Sequence, residues 1–137
     1  MPINGVSKVT LWVYLAFNLL IAVMLVLNPE QIDAQYRGGP MTPTRQFQWF
    51  SVATFHLFVV AVTWIALTMR NAVERRKLHL VNAGFFLWDA ATQWAYWGDH
   101  VGMETDQLHV NAGVSAMTGL LLLGLVWWRD RDPTGDS

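Results

Sequence analysis

The chain has 137 residues, of which 53% are hydrophobic and only 14% are charged, whereas an average soluble domain has about 25% charged residues. It contains no cysteine, which excludes disulfide bonds, thiolate metal sites and cysteine nucleophiles. The formal net charge is −1, and the nine Lys and Arg residues form no large basic face. Nucleic-acid binding is therefore not expected, and the length suits a single domain.

The apolar residues lie in four blocks, each of about the 20 residues that a helix needs to cross the hydrocarbon core of a membrane. The blocks cover 9–27, 47–69, 78–97 and 108–128. None shows the alternation of a barrel strand, so each is predicted to be a helix. The sequence predicts an all-α integral membrane four-helix bundle in 1–128, with 129–137 as a flexible tail. The alternative is a soluble four-helix bundle with helices that are apolar all round.

The segment between the first two blocks has the residues of a short helix. Asn28 and Pro29 are typical of a helix start, and the glycine pair at 38–39 is typical of a helix end. We expect this helix to lie at the outer membrane surface, as an interfacial element. Thr42 and Pro43 are the predicted start of the second span.

The basic residues near the ends of the blocks are distributed unevenly between the two sides of a four-span topology. One side carries Lys8, Arg70, Arg75, Arg76, Lys77, Arg129 and Arg131, and the other carries Arg37 and Arg45. The positive-inside rule predicts a multi-pass protein of the cell membrane with both termini in the cytoplasm. The first block has no small-residue cleavage pattern of a signal peptide, so it is expected to be retained.

The third block carries a polar stripe along one face of its predicted helix. Steps of three and four residues align His79, Asn82, Phe86, Asp89, Gln93, Tyr96 and His100. Lipid cannot satisfy such groups, so the stripe must face protein or water. Asp89 lies near the middle of the span, where an ionised carboxylate costs about 2.5–3.5 kcal/mol. It is expected to be protonated, hydrated or paired.

Each of the other spans has a polar residue at a depth similar to that of Asp89. These residues are Asn18 in the first span, His56 in the second, and Ser115 and Thr118 in the fourth. At about 1.5 Å per residue, their side chains are expected to meet in one layer, with His56 as the candidate partner of Asp89. Interhelical hydrogen bonds also explain the Asn, Ser and Thr residues. An intramembrane carboxylate, in contrast, indicates a functional site.

The end of the third span and the start of the fourth contain residue types that bind zinc or another divalent metal. The candidate ligands are His100, Glu104 and His109. A solvated acidic loop is the alternative interpretation. A buried haem is not expected, because no two histidines lie at matching depth away from the membrane edge, and no other cofactor is predicted.

The chain has an Asn28-Pro29-Glu30 turn after the first span, a short outer segment and a basic second loop over 70–77. This layout resembles the DoxX-like group of small bacterial membrane proteins. In size and span order it is also similar to the small four-span scaffold proteins of ergosterol biosynthesis. The resemblance covers most of the chain and implies an accessory or a quinone- and lipid-associated role. It supplies no catalytic residue and no counterpart of the polar stripe.

The function predicted first is a membrane accessory or binding protein. Its bundle is expected to hold a lipid-like or isoprenoid molecule, or to dock on a larger membrane enzyme, because a polar layer lies among aromatic residues. A homo-oligomer is also compatible with the small residues of the fourth span. The predicted ligand-binding residues are Asn18, Asn82, Trp88, Tyr96, Ser115 and Thr118.

Two alternatives remain open. One is a membrane-embedded isomerase, hydratase or cyclase on a lipid-soluble substrate, with Asp89 as acid or base, His56 as its relay partner and Gln93 orienting the substrate. The other is proton-coupled transport, for which a central carboxylate is also suited. A transporter with four spans is expected to be a dimer, and the sequence does not indicate the broken helices of many transporters.

Overall fold

The computed structural model describes residues 5–37, 39–97 and 105–129, and these are helical apart from short connections. The all-α prediction is confirmed. The helices are α1 (Gly5–Leu27), α2 (Pro29–Tyr36), α3 (Pro43–Thr68), α4 (Ala72–Thr92), which continues into a π-helical segment (Gln93–Trp97), and α5 (Thr105–Arg129). The four long helices correspond to the four apolar blocks, and α2 is the short helix expected between the first two.

The starts of α3 and α4 are fixed by side-chain caps. The hydroxyl of Thr42 accepts a hydrogen bond from the backbone N–H of Arg45 at 3.3 Å, and Pro43 follows at the first helical position. The side chain of Asn71 accepts from the backbone N–H of Val73 at 3.0 Å. Each cap satisfies an N–H group that has no partner inside its own helix.

The predicted side-chain cap of α2 is absent. Asn28 precedes the helix, but its side chain makes no capping hydrogen bond. The start depends instead on Pro29, whose fixed φ suits the first helical position, and on Glu30, whose charge is favourable near a helix N-terminus.

The turn between α3 and α4 is closed by a buried arginine. Arg75 is 1% exposed, and its Nη1 donates a hydrogen bond to the carbonyl oxygen of Met69 at 3.0 Å. Met69 follows the last residue of α3, where the carbonyl groups lack partners inside the helix and a cation is favourable. Arg75 therefore supports this turn in addition to adding to the charge of the second loop.

The long helices pack as two pairs. α1 lies along α3, and α4 lies along α5, with a smaller interface between α3 and α4. Among the described residues, α1 makes no extensive contact with α5. α1 and α5 therefore do not form a close-packed helix pair, and α2 contacts α1, α3 and α5.

The close approach of α4 and α5 requires a glycine. A Cβ atom built on Gly119 would lie 2.8 Å from Cγ of Leu87 and 3.1 Å from the carbonyl oxygen of Ala83. Both distances are shorter than ordinary van der Waals contacts. Gly119 thus allows the backbones of α4 and α5 to approach closely.

Polar side chains lie inside the bundle and large apolar side chains lie on its surface. Asn18, Thr63, Asn82 and Ser115 are buried. The exposed apolar residues include Val13, Phe17, Leu20, Phe58, Trp64, Trp88, Met117 and Leu121. The interior also contains apolar residues such as Leu11, Val59 and Ala83, so the bundle differs from a water-soluble one chiefly in its apolar outer surface.

Within the described residues, two helical segments are long and apolar enough to span a membrane, namely Lys8–Leu27 and Pro43–Thr68. In each, 28% of the apolar window is buried, so neither is a buried core helix. The apolar part of α5, Leu108–Gly124, is shorter. α4 is less apolar because of its charged first turns and its polar stripe.

Candidate functional site

A pocket of about 430 Å³ lies between the two helix pairs, and all five helices contribute to its wall. Its apolar lining includes Ile21, Leu25, Ile32, Val52, Phe55, Phe86 and Leu108. Small-molecule sites in proteins have volumes of about 300–1,000 Å³ and mostly apolar walls with a few polar groups. The pocket has both properties.

One hydrogen-bonded group of polar residues in the pocket wall joins α1 to α3. Nδ2 of Asn18 donates a hydrogen bond to the backbone carbonyl oxygen of Tyr14 at 2.8 Å. Oδ1 of Asn18 lies 2.8 Å from Nδ1 of His56. The hydroxyl of Tyr14 is buried and has no hydrogen-bond partner in the described part of the chain. All three side chains line the pocket.

The second polar group joins α4 to α5. Oδ2 of Asp89 accepts hydrogen bonds from Nε2 of Gln93 at 2.6 Å and from the hydroxyl of Ser115 at 2.8 Å. Gln93 is the first residue of the π-helical segment, a type of distortion that is frequent at functional sites. Asp89 and its two partners line the pocket, and Oδ1 of Asp89 has no partner among the described residues.

The expected pairing of Asp89 with His56 is not present. Neither hydrogen bond of Asp89 goes to His56, and the ring of His56 bonds to Asn18. Each residue finds its partner within its own helix pair, because α1 packs on α3 and α4 packs on α5. The polar layer therefore consists of two hydrogen-bonded groups that line one pocket from different helix pairs.

The structure brings three of the predicted ligand-binding residues to the pocket: Asn18, Ser115 and Thr118. Thr118 is also bonded within its own helix, to the carbonyl oxygen of Val114 at 2.8 Å. The side chain of Tyr96 lies outside the described part of the structure.

Asn82 and Trp88, which are also predicted to bind the ligand, do not line this pocket. Asn82 is buried where α4 meets α3, and its Nδ2 donates to the hydroxyl of Thr63 at 3.2 Å. Trp88 is 69% exposed. It adjoins Asp89 in sequence, and one residue along a helix turns the side chain by about 100°, away from the interior.

The predicted metal site falls mostly outside the described residues, since His100 and Glu104 are not among them. The third candidate, His109, packs on Trp94 with ring centroids 4.2 Å apart. Over 5–37, 39–97 and 105–129, no group of three or more histidines and carboxylates is placed to hold a metal ion.

α2 covers one end of the pocket, a feature that the sequence analysis did not predict. Ile32, Gln35 and Tyr36 contribute to the pocket wall. The hydroxyl of Tyr36 accepts a hydrogen bond from Nδ2 of Asn111, another lining residue, on α5. α2 is thus part of the site as well as a connection between two long helices.

The anchor of α2 is Asp33, which is 2% exposed. Its carboxylate forms an ion pair with Arg45 of α3 and accepts a hydrogen bond from Nε1 of Trp49 at 2.8 Å. The ring of Trp49 also packs against Tyr36, with centroids 5.2 Å apart. Ile32 and Tyr36 are four residues apart and therefore lie on one face of α2, beside Asp33. This spacing is the sequence pattern that indicates which face of α2 turns inward.

Comparisons with known proteins return no matching family model, no matching curated protein and no matching solved structure. The resemblance to the DoxX-like group therefore stays an expectation, and the pocket itself is the basis for a functional proposal.

Proposed function

We propose that the chain is a four-span membrane protein whose helix bundle binds a lipid-soluble small molecule in the pocket between its helix pairs. The observation that carries this proposal is an apolar pocket with two hydrogen-bonded polar groups in its wall, inside a bundle with an apolar outer surface.

The membrane part of the proposal extends from α1 and α3 to the other long helices. α4 buries Asn82 and exposes Leu80, Val81, Phe85 and Trp88. α5 buries Ser115 and exposes Val110, Val114, Met117, Leu120 and Leu121. Exposure of such apolar faces to water is unfavourable, whereas contact with the acyl chains of lipids is not. Under the positive-inside rule, the uneven distribution of basic residues supports a topology with both termini in the cytoplasm and α2 at the outer surface.

Access to the pocket is from the side. Three apolar residues of α1 and α5 line the pocket and are also exposed: Phe17 (53%) and Met24 (40%) on α1, and Val114 (51%) on α5. The pocket therefore opens on the surface that the proposal places against lipid. A ligand dissolved in the membrane reaches it without crossing water.

The pocket wall favours a lipid-like or isoprenoid molecule with a small polar group. Its apolar residues suit a hydrocarbon portion, and the groups around His56 and Asp89 suit a hydrogen-bonding end. A fully polar ligand would bury its own polar groups against the apolar wall without hydrogen-bond partners. A pure hydrocarbon would leave the polar side chains of the wall without ligand contacts.

A matched pair of substitutions on α5 tests the proposal. Val114→Trp places an indole where the pocket meets the surface. Val110→Trp is the control, because it places the same group at an exposed position one turn away that does not line the pocket. Native mass spectrometry with lipid analysis should find a bound small molecule in the wild-type protein and in Val110→Trp, but not in Val114→Trp. A wild-type protein without a bound molecule, or an equally loaded Val114→Trp, overturns the proposal.

A second candidate function is acid–base catalysis on such a molecule. The observation in its favour is that a carboxyl group and an imidazole line the same pocket, each held by its own partners. General acid–base catalysis needs a titratable group within hydrogen-bond reach of the substrate, and this pocket offers two. Asp89→Asn keeps the size of the side chain and removes its acid function, so it should abolish turnover in a folded protein. Full turnover in that variant excludes this mechanism.

A further inference from the structure

The hydrogen bonds of Asn18 determine which nitrogen of His56 carries a proton. Nδ2 of Asn18 lies 2.8 Å from the backbone carbonyl oxygen of Tyr14, and a carbonyl oxygen only accepts. The amide nitrogen must therefore face Tyr14, so the amide oxygen faces Nδ1 of His56 at 2.8 Å. Because that oxygen is also only an acceptor, Nδ1 must be the donor.

In the neutral form of His56, the other nitrogen is consequently a hydrogen-bond acceptor. A neutral imidazole carries one proton, and with that proton on Nδ1 the lone pair is on Nε2. His56 has no carboxylate partner in the described part of the chain, and its recorded hydrogen bond is the one at Nδ1. His56 lines the pocket, and no described residue bonds to its Nε2, so this nitrogen is left for a ligand.

We propose that the polar end of the ligand is a hydroxyl group that donates its hydrogen bond to Nε2 of His56. This inference rests on the proposed binding function and names the ligand class as lipid-soluble alcohols. Ketones, esters and ethers have only acceptor oxygens, so each would face Nε2 with a second lone pair. Asp89 does not make this distinction, because a carboxyl group accepts when ionised and donates when protonated.

The first test compares two probes that differ in one methyl group, farnesol and its methyl ether. The ether keeps the tail and the oxygen acceptor but has no O–H donor. The full chain in nanodiscs should bind the alcohol about tenfold more tightly, the cost of leaving a buried acceptor unpaired. In His56→Phe this preference should fall to near unity. His109→Phe should keep the wild-type preference, because His109 does not line the pocket.

The second test needs no ligand. In ¹⁵N-histidine NMR spectra, the imidazole signals that disappear in His56→Phe should show a protonated Nδ1 and an unprotonated Nε2. Asn18→Leu, which removes the acceptor of Nδ1, should change this pattern. A protonated Nε2 in the wild-type protein overturns the inference.

The results also separate this inference from the proposed function. If both probes bind equally, Val114→Trp blocks both, and His56→Phe changes neither, the pocket binds lipid-soluble molecules but does not select alcohols. If neither probe binds in a manner sensitive to Val114→Trp, the proposed binding function fails, and the inference fails with it.

Discussion

The hydroxyl of Ser115 on α5 donates a hydrogen bond of 2.8 Å to the carboxyl group of Asp89 on α4. This bond connects the two helices at the wall of the pocket, where Gln93 donates to the same oxygen. A carboxyl group in a membrane interior is costly unless such donors meet it. The contact has one role in helix packing and a second in fixing the direction in which Asp89 faces the pocket.

Removal of this donor should weaken the bundle slightly. Ser115→Ala leaves Asp89 with one donor, and interhelical hydrogen bonds in membranes are worth about 0.6 kcal/mol on average and at most about 1.7 kcal/mol. We expect the free energy of unfolding to fall by about 1 kcal/mol in a mixed-micelle SDS titration. Ser51→Ala is the control, since Ser51 is exposed and bonds within its own helix to Phe47. An equal loss in both variants contradicts the interhelical role.

The proposed topology predicts which positions are accessible from each side of the membrane. The chain has no native cysteine, so single cysteines can be introduced and labelled without background. Gln31→Cys on α2 should react with a membrane-impermeant maleimide added to intact cells. Val73→Cys, an exposed residue in the first turn of α4, should react only after the membrane is permeabilised. The reverse pattern inverts the topology, and reaction of both in intact cells excludes it.

The positions of the helices follow from the sequence, because apolar block length and cap residues such as Thr42 are local signals. The choice of hydrogen-bond partners does not. Asp89 and His56 lie at similar distances from the ends of their spans, so the sequence predicts them in one layer of the membrane. This depth does not specify which helices are neighbours. Asn82 and Asp89 share one stripe of α4, yet Asn82 contacts Thr63 and Asp89 faces the pocket. Only the packing of α4 against both α3 and α5 separates these roles.

Asp33 shows the same limit. A carboxylate on a short polar helix between two spans is ordinarily solvated. It is buried because α2 docks on α3, where Arg45 and Trp49 are separated by one helical turn and reach the same carboxylate. Such docking depends on contacts between residues 12 and 16 positions apart in the chain. A local pattern does not contain this information.

Loss of this anchor should release α2 from the pocket. Asp33→Ala removes the carboxylate that Arg45 and the indole N–H of Trp49 share, and breaking a buried ion pair costs about 3–5 kcal/mol. We expect a lower thermal stability and faster proteolysis within α2. Glu30→Ala is the control on the same helix, because Glu30 is exposed. If both variants are cleaved at the wild-type rate, the ion pair does not hold α2 in place.

Alanine substitutions at two glycines of α5 should have opposite effects. At Gly119 a Cβ would meet Leu87 at 2.8 Å and the backbone of Ala83 at 3.1 Å, so α4 and α5 must separate. Such overpacking costs about 1–3 kcal/mol. At Gly113 no atom lies within 4 Å of the added Cβ, so the gain in helix propensity of about 0.5–1 kcal/mol is unopposed.

The measurement is the SDS unfolding titration of Gly119→Ala and Gly113→Ala beside the wild-type protein. We expect the first variant to unfold at a lower SDS fraction and the second at an equal or higher one. Leu87→Ala should restore part of the loss in Gly119→Ala, but not all of it, because the carbonyl oxygen of Ala83 belongs to the backbone and cannot be truncated. A Gly119→Ala variant as stable as wild type would mean that α4 and α5 are not held at this distance.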